Sequence, residues 1–160
     1  MTIKIGDKLP SVTFTRMTGD GPEQMNSDKY FADKTVALFS VPGAFTPTCS
    51  VKHLPGFVEH LDALKAKGVD EVACTSVSDA FVLDAWAKAS DAKDKVTMLA
   101  DGNGEFARAV GLEFDGSKYG MGTRGQRFSM LVENGMVTQP NVEEPGGYEV
   151  SSADYLLKQL

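Results

Sequence analysis

The 160-residue sequence predicts an α/β fold of three layers, a central mixed sheet flanked by helices. Two patterns carry that expectation. Short apolar runs rich in β-branched residues, such as Thr35–Val41, alternate along the chain with stretches whose apolar residues recur at helical spacing. Strands joined through helices must lie parallel. Late in the chain, two apolar runs separated only by Glu133-Asn134 read as a hairpin, which adds antiparallel strands to the same sheet. The length suits one hydrophobic core and not two, so a single domain over residues 1–160 is expected.

In chain order, Ile3, Ile5, Val12 and Phe14 alternate, with Gly6-Asp7 and Pro10 as punctuation, and predict one or two edge strands. Met17 to Asp28 is polar and holds Gly, Asp and Pro, the composition of a surface turn, and Ser27 to Phe31 fits a short helical turn. Thr35 to Val41 is a strand buried on both faces. Leu54, Phe57, Val58, Leu61 and Leu64 then mark a helix. Pro55 lacks a donor and crowds the carbonyl of Val51, so a bend is expected there; Gly68 closes the helix after Lys65 and Lys67.

Val69 to Val77 is the next buried strand. A helix restarting at Ser78–Phe81 is expected to carry Phe81, Val82, Ala85, Trp86 and Ala89 on one face. Val96 to Ala100 makes a third strand. The turn Asp101-Gly102-Asn103-Gly104 leads into a short helix marked by Phe106, Val110 and Leu112. Phe128–Val132 and Gly135–Thr138 are the hairpin strands, and Ser152–Leu160 is a closing helix.

Composition narrows the function. No apolar run approaches the roughly 20 residues of a membrane span, and the N-terminal residues carry no basic lead before an apolar core, so a cytoplasmic location is expected. A net charge of -6 argues against a nucleic-acid partner. Only two cysteines, Cys49 and Cys74, are present, which excludes a disulfide framework.

The stretch Val41-Pro42-Gly43-Ala44-Phe45-Thr46-Pro47-Thr48-Cys49-Ser50 places a thiol at the mouth of a helix, directly after a buried strand. Sites in such sheets form at the C-terminal ends of the parallel strands. Thr46 is suited to the N-cap and Pro47 to the first helical position, which sets Cys49 on the third. Backbone amides and the helix dipole there favour the thiolate, which makes the sulfur nucleophilic.

Other chemistries fit less well. A cysteine hydrolase would need His53 or His60 as base together with a third residue to orient it, and His53 is expected at the pocket rim or facing solvent. A phosphatase loop would need Arg where Pro55 stands, and a metal site at Cys49 and His53 lacks further ligands. Asp101, Asn103 and Glu105 imitate a calcium loop whose Gly and closing Glu positions are filled by Phe106 and Leu112. The sulfur therefore needs a cation from elsewhere. Arg124 and Arg127 both enter a strand that can lie beside it, and Arg127, adjoining that strand, is the better candidate.

Pro42, Thr46 and Cys49 stand as Pro-x-x-x-Thr-x-x-Cys, which resembles the active-site signature of the peroxiredoxins. The fuller string, with His53-Leu54-Pro55-Gly56-Phe57, Asp79-Ala80-Phe81, Leu99-Ala100-Asp101 and Arg127-Phe128-Ser129-Met130, is similar to the type II, or peroxiredoxin-5, branch over nearly the whole chain. The resemblance implies a thioredoxin-like fold and reduction of hydrogen peroxide and alkyl hydroperoxides, without metal or organic cofactor. By position, Cys49 would attack the peroxide and become sulfenic acid, Thr46 would hold the peroxide, Pro42 would shield the pocket, and Arg127 would stabilise the thiolate and the charge developing on oxygen.

Tyr148 to Ser152 holds no thiol, so a resolving cysteine near the C-terminal helix is excluded. Cys74 reads as a buried structural thiol, because bridging it to Cys49 would require the first helical turn to unwind. An external thiol, glutathione with glutaredoxin or thioredoxin, is therefore the expected reductant. The alternative is a redox sensor or binding protein of the same fold with little turnover. Phe45 and Phe81 are candidates for a homodimer contact.

Overall fold

The computed structural model describes residues 2–160. A seven-stranded mixed sheet runs in the order β2-β1-β5-β4-β3-β8-β9. At its centre β3 (Thr35–Ser40), β4 (Glu71–Ser76) and β5 (Thr97–Ala100) are parallel, as strands separated by helices must be. β8 (Phe128–Glu133) lies antiparallel to β3, and β9 (Met136–Val142) turns back on it. The tight turn between them uses positive φ at both Asn134 (48°) and Gly135 (78°), as a two-residue hairpin with right-handed twist requires.

Strand period sorts the core into two layers. Ala37, Phe39 and Val41 point to one face of the sheet, among Cys49, Leu54, Phe57, Trp86 and Leu156. Val36 and Leu38 point to the other, among Phe14, Phe31, Phe106 and Met130. The first layer is covered by α2 (Leu54–Glu59), α3 (Leu61–Ala66), α4 (Ala80–Ala89) and α6 (Ala153–Lys158). The second is covered by α1 (Ser27–Phe31) and α5 (Glu105–Ala109). This is the three-layer arrangement expected.

Several local expectations are corrected. Residues 3–12 form no strand beyond a single bridge of Lys8 to Met136; their Ile3, Leu9 and Val12 plug the second core layer instead. The polar stretch after Met17 is a strand, β2 (Gly21–Asn26), paired antiparallel with β1 (Thr13–Thr18). It lies at the sheet edge and is mostly exposed, so it carries no apolar signature. A second, two-stranded sheet, β6 (Glu113–Asp115) with β7 (Thr123–Gly125), encloses a 3₁₀ turn at Ser117–Tyr119. The buried face of α4 is Ala80, Leu83, Trp86 and Ala87, while Phe81 and Val82 face outward. Asp79 caps this helix, its side chain accepting from Val82 N–H at 2.8 Å.

The irregularity around Pro55 also differs from a simple bend. Cys49–His53 is a π-helical turn in which Leu54 N–H donates to Cys49 O, and Pro55 sits in the first turn of α2, where its missing donor costs nothing. The turn is pinned laterally, since the Trp86 Nε1–H donates to Ser50 Oγ at 2.9 Å. Trp86 is fully buried. Ser50→Ala leaves that indole N–H unpaired and is expected to destabilise the protein by about 1–3 kcal/mol, read as a lower urea midpoint by Trp86 fluorescence.

Candidate active site

Three parallel strands deliver their C-terminal ends to one edge of the sheet, and β3 runs from there into the cysteine loop. Helical backbone begins at Pro47, and Ser50 N–H donates to Thr46 O at 2.9 Å, so Thr46 is the N-cap by backbone. Its side chain does something else. The Thr46 hydroxyl donates to Gly43 O at 2.7 Å, which turns its lone pairs away from the helix amides. Phe45 adopts φ 64°, a conformation rare for a bulky residue, and its ring is 56% exposed. Gly43 is required by close approach: a Cβ there would lie 2.9 Å from Met121 Cε and 3.1 Å from Thr46 Cγ2.

The expected cation is present. Arg127, in the short link between β7 and β8, donates from Nη2 to Cys49 Sγ at 3.1 Å. Arg124 is spent on structure, donating from Nε to Met121 O at 2.9 Å and from Nη1 to Val77 O at 3.2 Å. Pro42, Thr46 and Arg127 line a cleft of about 380 Å³ whose outer wall includes Phe114, Tyr119, Met121 and Pro145. Cys49 itself has no exposed surface. It sits behind the cleft in the core, and Arg127, which lines the cleft, bonds its sulfur.

His53 is the residue that sequence reasoning misplaced. It is fully buried, neither at a rim nor facing solvent. Its Nδ1 accepts from Arg127 Nη1 at 2.9 Å, which makes Nε2 the protonated nitrogen, and that N–H donates to Ser151 O at 2.9 Å. Burial first, and the Arg127 charge second, lower its pKa to about 3. Tyr148 packs edge-on to the imidazole at 5.3 Å between ring centroids and lies 5.9 Å from the Arg127 guanidinium. The spacing of His53 four residues after Cys49 was visible; its partners, from residues 127 and 151, were not.

Cys74 is fully buried in β4, facing the same core layer as Cys49. Burial, and next the nearby Cys49, push its thiol well up, against a smaller opposing effect of Arg127. Among the described residues, no group of three or more His, Cys, Asp or Glu is placed to hold a metal, and no helix is long and apolar enough to cross a membrane.

A helix-mouth cysteine held by an arginine on a three-layer mixed sheet defines a thiol-reactive protein of thioredoxin-like fold. The Redoxin family matches residues 4–157. The chain is 46% identical to Peroxiredoxin-2B of Arabidopsis thaliana, over 99% of this chain and 98% of that protein. It superposes on the crystal structure of reduced Prx3 in complex with hydrogen peroxide from Vibrio vulnificus with TM-score 0.95 and 47% identity, covering 99% of each chain. The 1-Cys peroxiredoxin structure from Plasmodium falciparum gives TM-score 0.91 at 30% identity, over 99% of this chain and 100% of that one. The chain belongs to the peroxiredoxins, in the type II branch, and is a thiol-dependent peroxidase.

Two outcomes test this geometry. Gly43→Ala pushes on the β-branched Thr46 and is expected to lower the peroxidase rate by about tenfold with the fold intact, as measured by peroxide consumption beside circular dichroism. His53 stays neutral in the folded protein down to about pH 3, whereas an unfolded imidazole protonates near 6.5. Its contribution to stability is therefore complete above about pH 6.5 and lost progressively as pH falls toward 3. The His53 ring nitrogens should show no titration between pH 8 and 5 by NMR, and a midpoint inside that range would refute the burial argument.

Proposed function

We propose that Cys49 is the peroxidatic nucleophile, with Arg127, Thr46 and Pro42 as its site. The reading rests on the 3.1 Å hydrogen bond from Arg127 to the Cys49 sulfur. The thiolate attacks the terminal oxygen of a hydroperoxide; an S–O bond forms, the O–O bond breaks, and the alkoxide or hydroxide released takes a proton to leave as alcohol or water. Cys49 becomes sulfenic acid. Fixed donors aimed at oxygen as its charge grows lower the barrier. The Arg127 guanidinium supplies such donors, and the Thr46 hydroxyl, already donating to Gly43 O, offers lone pairs that accept a hydrogen bond from the peroxide O–H. Pro42, on the cleft wall, keeps water from the sulfur.

Regeneration is assigned to an external thiol. One equivalent condenses with the sulfenic acid to a mixed disulfide and water, and a second releases the thiol as the reductant disulfide forms. Glutathione with glutaredoxin is the favoured donor and thioredoxin the second. The buried Cys74, its thiol pushed up, is a poor resolving group, and the similar Plasmodium falciparum protein is described as a 1-Cys peroxiredoxin. Two free thiols suit the reducing cytoplasm. A homodimer is proposed through the loop after β3 and the first turn of α4, where Phe45 and Phe81 are 56% and 65% exposed.

Cys49→Ser is expected to abolish peroxide consumption and Cys74→Ser to leave most of it; equal loss in both would favour an internal disulfide. With each reductant supplied separately, glutathione plus glutaredoxin should sustain turnover, and turnover with thioredoxin alone would reverse the assignment. Phe45→Asp should convert a dimer to monomer in sedimentation equilibrium.

A further inference from the structure

The segment after β9 folds back over the site, and one carboxylate holds it there. Glu143 is 6% exposed, and its Oε2 accepts four hydrogen bonds: from Glu149 N at 2.8 Å, Val150 N at 2.9 Å, Ser151 N at 2.8 Å and Ser151 Oγ at 2.6 Å. Its own backbone N–H donates to Arg127 O at 3.0 Å. The strap so gathered carries Tyr148 onto His53 and Arg127, and presents the Ser151 carbonyl to His53 Nε2. A closed circuit results. It runs from the Arg127 backbone through Glu143, the strap and His53, and returns to the Arg127 guanidinium, whose other nitrogen reaches Cys49.

We propose that Glu143 is a positioning residue for the peroxidase reaction: by clasping residues 149–151 it fixes the Ser151 carbonyl, and through His53 it aims the Arg127 guanidinium at the Cys49 sulfur. A fixed carbonyl selects the Nε2–H form of the imidazole, and only that form leaves Nδ1 free to accept from Arg127. A guanidinium held at both ends cannot swing into the cleft. A single oxygen serving four donors calls for the full charge of a carboxylate, which an amide does not carry. Although burial works to raise the carboxyl, the Ser151 hydroxyl and the three amides outweigh it and hold Glu143 ionised. The inference rests on Arg127 being the group that holds the sulfur.

The test compares Glu143→Gln, Arg127→Gln and the charge control Glu149→Gln, whose exposed side chain lies on the same strap, all in a Cys74→Ser background. Three quantities are measured: the rate of Cys49 alkylation by iodoacetamide at pH 7, the second-order rate constant with hydrogen peroxide, and the urea midpoint. Glu143→Gln is expected to slow Cys49 alkylation, in the same direction as Arg127→Gln, and to slow the peroxide reaction about tenfold. Glu149→Gln should stay within twofold of the parent. A clasp that is structural alone would lower the urea midpoint and leave alkylation and rate unchanged; that result, with Arg127→Gln still moving both, overturns the proposal. If Arg127→Gln moves neither, the reading of the site falls with it. Should Glu143→Gln fail to fold, Ser151→Ala removes one of the four donors, and the rate must still drop measurably, with the His53 Nε2 resonance shifted, for the proposal to stand.

Discussion

A guanidinium suspended between an imidazole nitrogen and a sulfur is the constraint on which the rest of this protein depends. Arg127 spends Nη1 on His53 and Nη2 on Cys49. Each bond fixes the other, because the planar fork of the side chain cannot satisfy one partner and rotate away from the second. A lysine could offer charge but not two donors at a set angle. The arrangement also explains the depth of His53. A neutral imidazole is tolerable in the core only with both nitrogens paired, and Ser151 O and Arg127 supply those pairs.

The sheet supplies the other half of the constraint. Cys49 and Cys74 face the same core layer, yet their environments separate their chemistry. Cys49 stands at the start of a helix, against a cation that comes in from the antiparallel side of the sheet; Cys74 lies within β4, its backbone paired between Phe39 and Met98. Burial, with only the weak bond of its thiol to Thr75 O at 3.9 Å, keeps the second sulfur protonated and inert. One thiol is thus made reactive by position, and the other is left as a small hydrophobe.

What could be read from the sequence follows this physical division. Local signals were legible: the buried strand at Thr35–Ser40, Pro47 at a helix start, the late hairpin, whose turn falls at Asn134-Gly135 one residue beyond the Glu133-Asn134 expected, and the glycine that ends α3 each depend on a few neighbouring residues. The preference for Arg127 over Arg124 also follows from its place beside β8. The edge strand β2 was hidden because its side chains bury little, so it lacks the alternation by which strands are recognised. The buried state of His53 was hidden for a different reason. Its partners lie 74 and 98 residues away, and no pattern around residue 53 encodes them. Glu143 stands in an acidic pair before Pro145-Gly146-Gly147, and nothing beside it marks it as the carboxylate on which residues 149–151 fold back.

The π-helical turn reconciles two demands that a regular helix would set against each other. In α-helical register Pro55 would stand against the carbonyl of Val51, and the helix would have to kink away from the core. Widening the turn passes the contact of Cys49 O to Leu54 N, so that the proline begins a fresh helix. The cost is a cysteine turn with fewer ordinary helical bonds. The Ser50–Trp86 bond and the Arg127–His53 pair hold that turn from the side instead. Side-chain anchors of this kind can be released singly, without melting α2 behind them. In the peroxidatic role proposed for Cys49, a sulfur held rigid toward peroxide and then brought out of a site with no exposed surface toward a reducing thiol is better served by such anchors than by an unbroken helix.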